Sequence, residues 1–108
     1  MITAKMHRDA KGFYRGFTIS GHADGYEGDG EYDLVCAAVS AITLTIASGL
    51  QNILHLKGSF DSKSGFLNVN LFSESNDKSQ VLIETMVHGL KSIQAQYPDK
   101  LQIIDIKG

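Results

Sequence analysis

The sequence predicts an α+β fold: a single domain, elements in the order ββαββαβ, with an antiparallel or mixed sheet carrying two helices. Three observations lead there. Apolar residues alternate with period two near the start, in the middle and at the end of the chain. Two longer stretches instead repeat them at spacings of three and four. Finally, 108 residues with 43% hydrophobic content suffice for one core, so residues 1–108 are read as one domain.

The first strand is "MITAKMHR", where Ile2, Ala4 and Met6 alternate with Thr3, Lys5 and His7. "DAKG" reads as a turn, with Gly12 available for positive φ. "FYRGFTIS" follows as a second strand, with Phe13, Arg15, Phe17 and Ile19 expected on one face. Asp33 is a suitable N-cap for the first helix, its carboxylate accepting from the N–H of Val35 or Cys36. Val35, Val39, Ile42, Ile46 and Leu50 then mark a core-facing stripe, and Gly49 is placed to help end the helix. "NILHLKG" and "GFLNVNLF" are expected as strands flanking a turn, "GSFDSKSG". A second helix from about Asn76 to Gln96 carries the stripe Leu82, Met86, Leu90, Ile93 and Tyr97, and Pro98 stops it. "LQIIDI" closes the chain as a strand, so that a split βαβ-like plan runs from the second strand onward.

Composition narrows the function. A net charge of −2 provides no broad basic field for nucleic acid, which is not expected as a partner. The single cysteine forms no internal disulfide, and "MITAKMHRDAKG" lacks the apolar core of a secretory signal, so a cytoplasmic location is expected. Leu34 to Leu56 contains no Asp, Glu, Lys or Arg, and a membrane-spanning helix needs about 20 apolar residues. Its Ala, Ser and Thr content, with Gly49, Gln51 and Asn52, favours a buried central helix over a membrane partner. His7, His55 and His88 show no metal-ligand spacing and are read as structural, facing out from a strand, within an apolar strand and beside a helical stripe. Neither a metal nor another cofactor is expected.

The chemistry concentrates in "GHADGYEGDGEYDLVCAAVS". His22 follows a strand, and Cys36 falls at the third helical position if Asp33 is the cap. There the unpaired N–H groups and the positive end of the helix dipole would favour a thiolate and could hold an oxyanion. His22 would complete a Cys–His pair, and Ser40 lies one turn beyond Cys36 on the same helix face. Each residue also has a plain explanation. A cysteine in an Ala-rich helix packs, a strand-end histidine is solvated, an aspartate caps, and Gly25, Gly28 and Gly30 make an ordinary loop.

The combination is more specific than its parts. "SGHADGYEGDGEYDLVCAAVSAI" resembles the signature of the ribosomal-processing cysteine protease (Prp) family, with Gly-His-Ala after a strand and Asp-x-Val-Cys-Ala-x-Val-Ser opening a helix. The likeness extends over the whole chain, including "ETMVHGLKSIQAQYP". It implies an endopeptidase that removes the N-terminal extension of large-subunit ribosomal protein twenty-seven, a step needed for ribosome assembly. It implies Cys36 as nucleophile, His22 as general base and acid, and Gly21, Asp33 and Ser40 as supporting positions. It also implies a homodimer, with the small, uncharged first helix as contact surface, and an apolar groove beside Cys36.

Asp24, Gly25, Glu27, Gly28, Asp29, Gly30 and Glu31 are expected to form a lid loop. Its glycines would allow closure over a peptide, and its acidic residues would attract basic residues of a ribosomal protein precursor. Asp33 and Asp24 are both candidates to orient His22, and with no choice between them the pair is read as a dyad. The competing functions are a non-catalytic ribosome-associated binding module and another thiol-dependent acyl hydrolase.

Overall fold

The computed structural model describes residues 1–21, 30–72 and 74–108, with the backbone alone at 30–33. The expected element order holds: β1 (Ile2–Arg8), β2 (Tyr14–Ser20), α1 (Gly30–Ser48), β3 (Ser59–Lys63), β4 (Phe66–Asn70), α2 (Asp77–Gln96) and β5 (Leu101–Lys107). The five strands form one mixed sheet in the order β3-β4-β2-β1-β5. All neighbours are antiparallel except β1 and β5, which run parallel.

Strand alternation puts one face of this sheet in the core. Ile2, Ala4 and Met6 of β1 are buried together with Phe17, Ile19, Leu67, Val69 and Leu101. Against them pack Val35, Val39 and Leu50 from the α1 side and Ile83, Met86 and Leu90 of α2. A fully enclosed side chain such as Phe17 or Leu90 is worth about 1.5–3 kcal/mol over its exposed state. The opposite face carries a polar row in which Lys5, Thr18, Asn68 and Asp61 are cross-strand neighbours.

Several local expectations are corrected. Phe13 precedes β2 and is 51% exposed, and within β2 Arg15 is exposed while Tyr14 turns inward. The register shifts there, pairing His7 with Gly16 and Arg8 with Tyr14, so Arg15 is the extra residue of a bulge. Alternation counted along the strand misses such an insertion. The α2 stripe lies one residue further round than expected: Ile83 and Val87 are buried, whereas Leu82, Ile93 and Tyr97 are only partly so.

The first helix begins earlier and ends later than expected. It starts at Gly30, which places Asp33 inside its first turn and not at the cap. An acidic residue suits the unpaired N–H groups of a first turn as well as it suits a cap, so the signal locates a helix start only to within a turn. Gly49 does not end the helix. The chain continues through a π-helical turn, Gly49–Ile53, in which Leu54 N–H donates to Gly49 O at 2.9 Å. Consequently "NILHLKG" is not a strand; His55 is exposed with φ at 54°, outside any strand. The true third strand is Ser59–Lys63, inside the segment expected to be a turn.

By length and composition, Leu34–Ile53 could cross a membrane, with a mean hydropathy of 1.8. In the fold its Val35, Val39, Ala47 and Leu50 are buried in the core.

Candidate active site

The rotation of α1 about its axis decides what Cys36 can do. Val35 and Val39 are 1% and 2% exposed, and they anchor one side of the helix in the core. Thr43 is also buried, its hydroxyl donating to Val39 O at 2.8 Å. Cys36 and Ser40, each one position after an anchor, lie at the margin of that buried stripe. Cys36 is therefore half-buried, a free thiol packed against the core yet open on one side.

It opens into a cavity of about 250 Å³ between α1 and the β3–β4 hairpin. The α1 wall is Cys36, Val39, Ser40, Thr43 and Leu44, the floor Ile2 and Ile19, and the hairpin contributes Ser62 to Leu67. The lining beside Cys36 is mixed: Ile2, Ile19, Val39, Leu44, Phe66 and Leu67 are apolar, while Ser40, Thr43, Ser62, Lys63 and Ser64 are polar. Among the described residues, Lys63 is the charged group lining it, and its Nζ lies 5.6 Å from the Phe66 ring centroid.

Gly21 lines the same cavity, at the end of β2. Its N–H donates to Gly65 O at 3.0 Å, which ties the end of β2 to the hairpin turn. Two constraints require glycine there. Its φ is +96°, and a Cβ would lie 2.3 Å from Met1 O, at the entrance to β1.

Of the residues singled out in the sequence, Gly21, Cys36 and Ser40 are brought together around this cavity. His22, Asp24, Gly25, Glu27, Gly28 and Asp29 lie outside the described residues. Gly30 and Glu31 belong to α1 and not to a loop, and Asp33 is placed by its backbone alone.

One electrostatic expectation is also corrected. With α1 starting at Gly30, Cys36 stands six residues beyond the first helical position and not in the first turn. The influence of a helix end fades within one turn, so the unpaired N–H groups of the helix start do not account for a thiolate or an oxyanion site at Cys36. Sequence reasoning missed Thr43 and the hairpin wall. The Ser64-Gly65 pair, with Gly65 at φ 72°, was the available signal for a two-residue hairpin between Lys63 and Phe66.

Comparison with known proteins identifies the family and the fold. The model of the family described as cysteine protease Prp matches residues 1–102. The ribosomal processing cysteine protease Prp of Bacillus subtilis (strain 168) is 29% identical over 113 residues, covering 95% of this chain and 96% of that protein. A crystal structure of the essential ribosomal processing protease Prp from S. aureus with a substrate peptide superposes with a TM-score of 0.86 at 21% identity, covering 98% of this chain and all of that one. A second structure of the S. aureus protein, with a covalently linked product peptide, gives 0.84 at 22% identity over the same shares. These two likenesses establish a shared fold.

Proposed function

The chain belongs to the cysteine protease Prp family, and we propose that Cys36 is its nucleophile and His22 its general base and acid. Membership makes it a hydrolase of peptide bonds. The finer reading is that it removes the N-terminal extension of large-subunit ribosomal protein twenty-seven. The relatives' role in ribosomal processing supports it, as does the whole-chain match. The observation that carries the site is the shared cavity: Cys36 is half-open to it, and Gly21, the residue before His22, forms part of its wall.

In this reading an apolar side chain of the substrate occupies the space between Val39, Leu44, Ile19 and Leu67, which sets the scissile carbonyl over Cys36. His22 takes the thiol proton and the Cys36 sulfur attacks the carbonyl carbon. As the C–N bond breaks, His22 returns that proton to the leaving amine, and a thioester remains. His22 then deprotonates water, hydroxide adds to the thioester, and the proton goes back to the departing thiolate. Ser40, Ser62 and Ser64 line the cavity, and their hydroxyls are donors for a developing oxyanion. Product held covalently on the S. aureus protein accords with an acyl-enzyme route.

Incubation with the extended ribosomal protein, read by mass spectrometry, tests the assignment. The chain should release the extension, and Cys36→Ala should lower the rate by at least about 10³-fold. Cleavage by the alanine variant at the parent rate would remove Cys36 from the mechanism. A parent chain that leaves the precursor intact would instead overturn the substrate.

We also propose that the protein works as a homodimer joined through its helical face, a reading supported by the exposed apolar surface of α1 and α2.

A further inference from the structure

We propose that the substrate's extended segment is held as an added strand on the outer edge of β3, hydrogen-bonded to the backbone of Ser62. The proposal rests on the protease reading and specifies how that site grips a peptide. In the sheet order β3-β4-β2-β1-β5, β3 is an edge, and the hairpin that carries it also forms one wall of the Cys36 cavity.

The hairpin geometry says which backbone groups are available. Lys63 and Phe66 flank the two-residue turn Ser64-Gly65, so they exchange both hydrogen bonds and point their polar groups inward along the ladder. The next pair, Ser62 with Leu67, is then non-hydrogen-bonded. The N–H and C=O of Ser62 face away from β4, and among the described residues no other element pairs with them. The same alternation leaves Phe60, opposite Val69, with outward-facing groups two residues back. Edge strands with such a row of unpaired groups are the usual template for peptide capture by strand addition.

Position makes this edge suited to the reaction. Ser62 is exposed, yet its side lines the cavity beside Cys36. A substrate residue bonded to the Ser62 backbone would continue the pleat of the sheet. A side chain on the Ser62 face of that pleat then points toward the cavity, and its neighbours in sequence point away. The main chain would supply affinity for any extended sequence, and the cavity would select one bulky apolar residue. Strand addition also fixes the orientation of the scissile bond relative to Cys36, which is where a rigid edge contributes to rate.

Proline separates the two roles of Ser62. Because its N–H faces away from β4, Ser62→Pro removes the outward donor and leaves the β3–β4 ladder intact. Ser62→Ala keeps the N–H and serves as the reference for loss of the hydroxyl. With a synthetic peptide carrying the N-terminal extension, Ser62→Pro should show a kcat/KM about tenfold below Ser62→Ala, expressed through KM. Alkylation of Cys36 by iodoacetamide should proceed at the same rate in both. Equal kcat/KM in the two variants would overturn the proposal while leaving Cys36 chemistry untouched, whereas an unaltered chain that cannot cleave the peptide would refute the protease reading instead. Should Ser62→Pro disturb the fold, hydrogen exchange decides. In Cys36→Ala saturated with the same peptide, the Ser62 amide should gain protection, and an amide that exchanges as fast as without peptide would refute strand addition.

Discussion

On the solvent face of the sheet, a short polar chain fixes the state of His7. The Thr18 hydroxyl donates to Asn68 Oδ1 at 2.7 Å, so its oxygen accepts from His7 Nε2 at 2.9 Å. That arrangement assigns the His7 proton to Nε2 in the neutral ring. Partial burial, followed by the charges of Arg15 and Lys5, pushes the His7 pKa below its ordinary 6.5. In the unfolded chain the ring binds its proton more readily, so the unfolded state gains protons first as the pH falls. Stability contributed by His7 is therefore complete above pH 6.5 and declines from there toward the lower folded value. Urea midpoints of the parent and His7→Gln between pH 7.5 and 5 should show the variant losing less stability over the acid range. Parallel curves would mean that His7 does not titrate with folding. His7, read from sequence as structural, accordingly belongs to the fold's pH response, while Cys36, its plain packing explanation notwithstanding, is open to a cavity.

Among the elements, α2 has the most explicit start signal. Asn76 Oδ1 accepts from Ser79 N–H at 2.9 Å, and Ser79 Oγ accepts from Asn76 N–H at 2.8 Å. This reciprocal capping box satisfies two backbone donors, and Ser79 is fully buried. Asn76→Ala should destabilise the protein by about 1 kcal/mol, read as a shift of the denaturation midpoint at constant slope. An unchanged midpoint would mean that the turn before α2 satisfies Ser79 N–H by another route. Elements of this kind, with a periodic stripe and a cap or a proline at each end, are legible in a sequence. Elements governed by distant partners are not. β3 contains one large apolar residue, Phe60, since an edge strand has little to bury, and it was hidden inside an apparent turn. The β2 bulge is fixed from outside the strand, because the Gln80 side chain both accepts from Tyr14 N–H and donates to Tyr14 O. Arg8 completes that anchor, donating to the Tyr14 hydroxyl at 2.6 Å with its guanidinium 4.1 Å from the ring centroid. The candidate site divides along the same line. Cys36 and Ser40 follow from helical spacing and Gly21 from the family resemblance alone, but the hairpin wall depends on the edge strand that alternation failed to show.

Across the whole molecule, one sheet face is covered by both helices, and the furrow between them on the outer side is apolar, with exposed apolar residues about it. Ile53 is 75% exposed, Val81 63% and Leu44 46%. Between α1 and α2 lie two shallow apolar hollows, of about 520 Å³ around Ile46, Ile53, Val81 and Leu82 and about 410 Å³ around Ile42, Thr45 and Gly89. Gly89 permits a close approach there, since a Cβ would stand 3.3 Å from Ile42 Cδ1. The α1 side of this surface comes from a stretch, Leu34 to Leu56, with no charged residue, a composition suited to contact with another apolar face. In the proposed homodimer a second copy of the chain would meet that requirement by symmetry, each protomer laying its helices against those of the other. Sedimentation of the parent chain should then give the dimer mass, and its melting temperature should rise with protein concentration. Combining Ile53→Lys with Val81→Lys puts like charges on the proposed contact face of both protomers and should yield a monomer of correspondingly lower melting temperature. If the parent sediments as a monomer at every concentration, or the double variant remains a dimer, the helical face is not the joint.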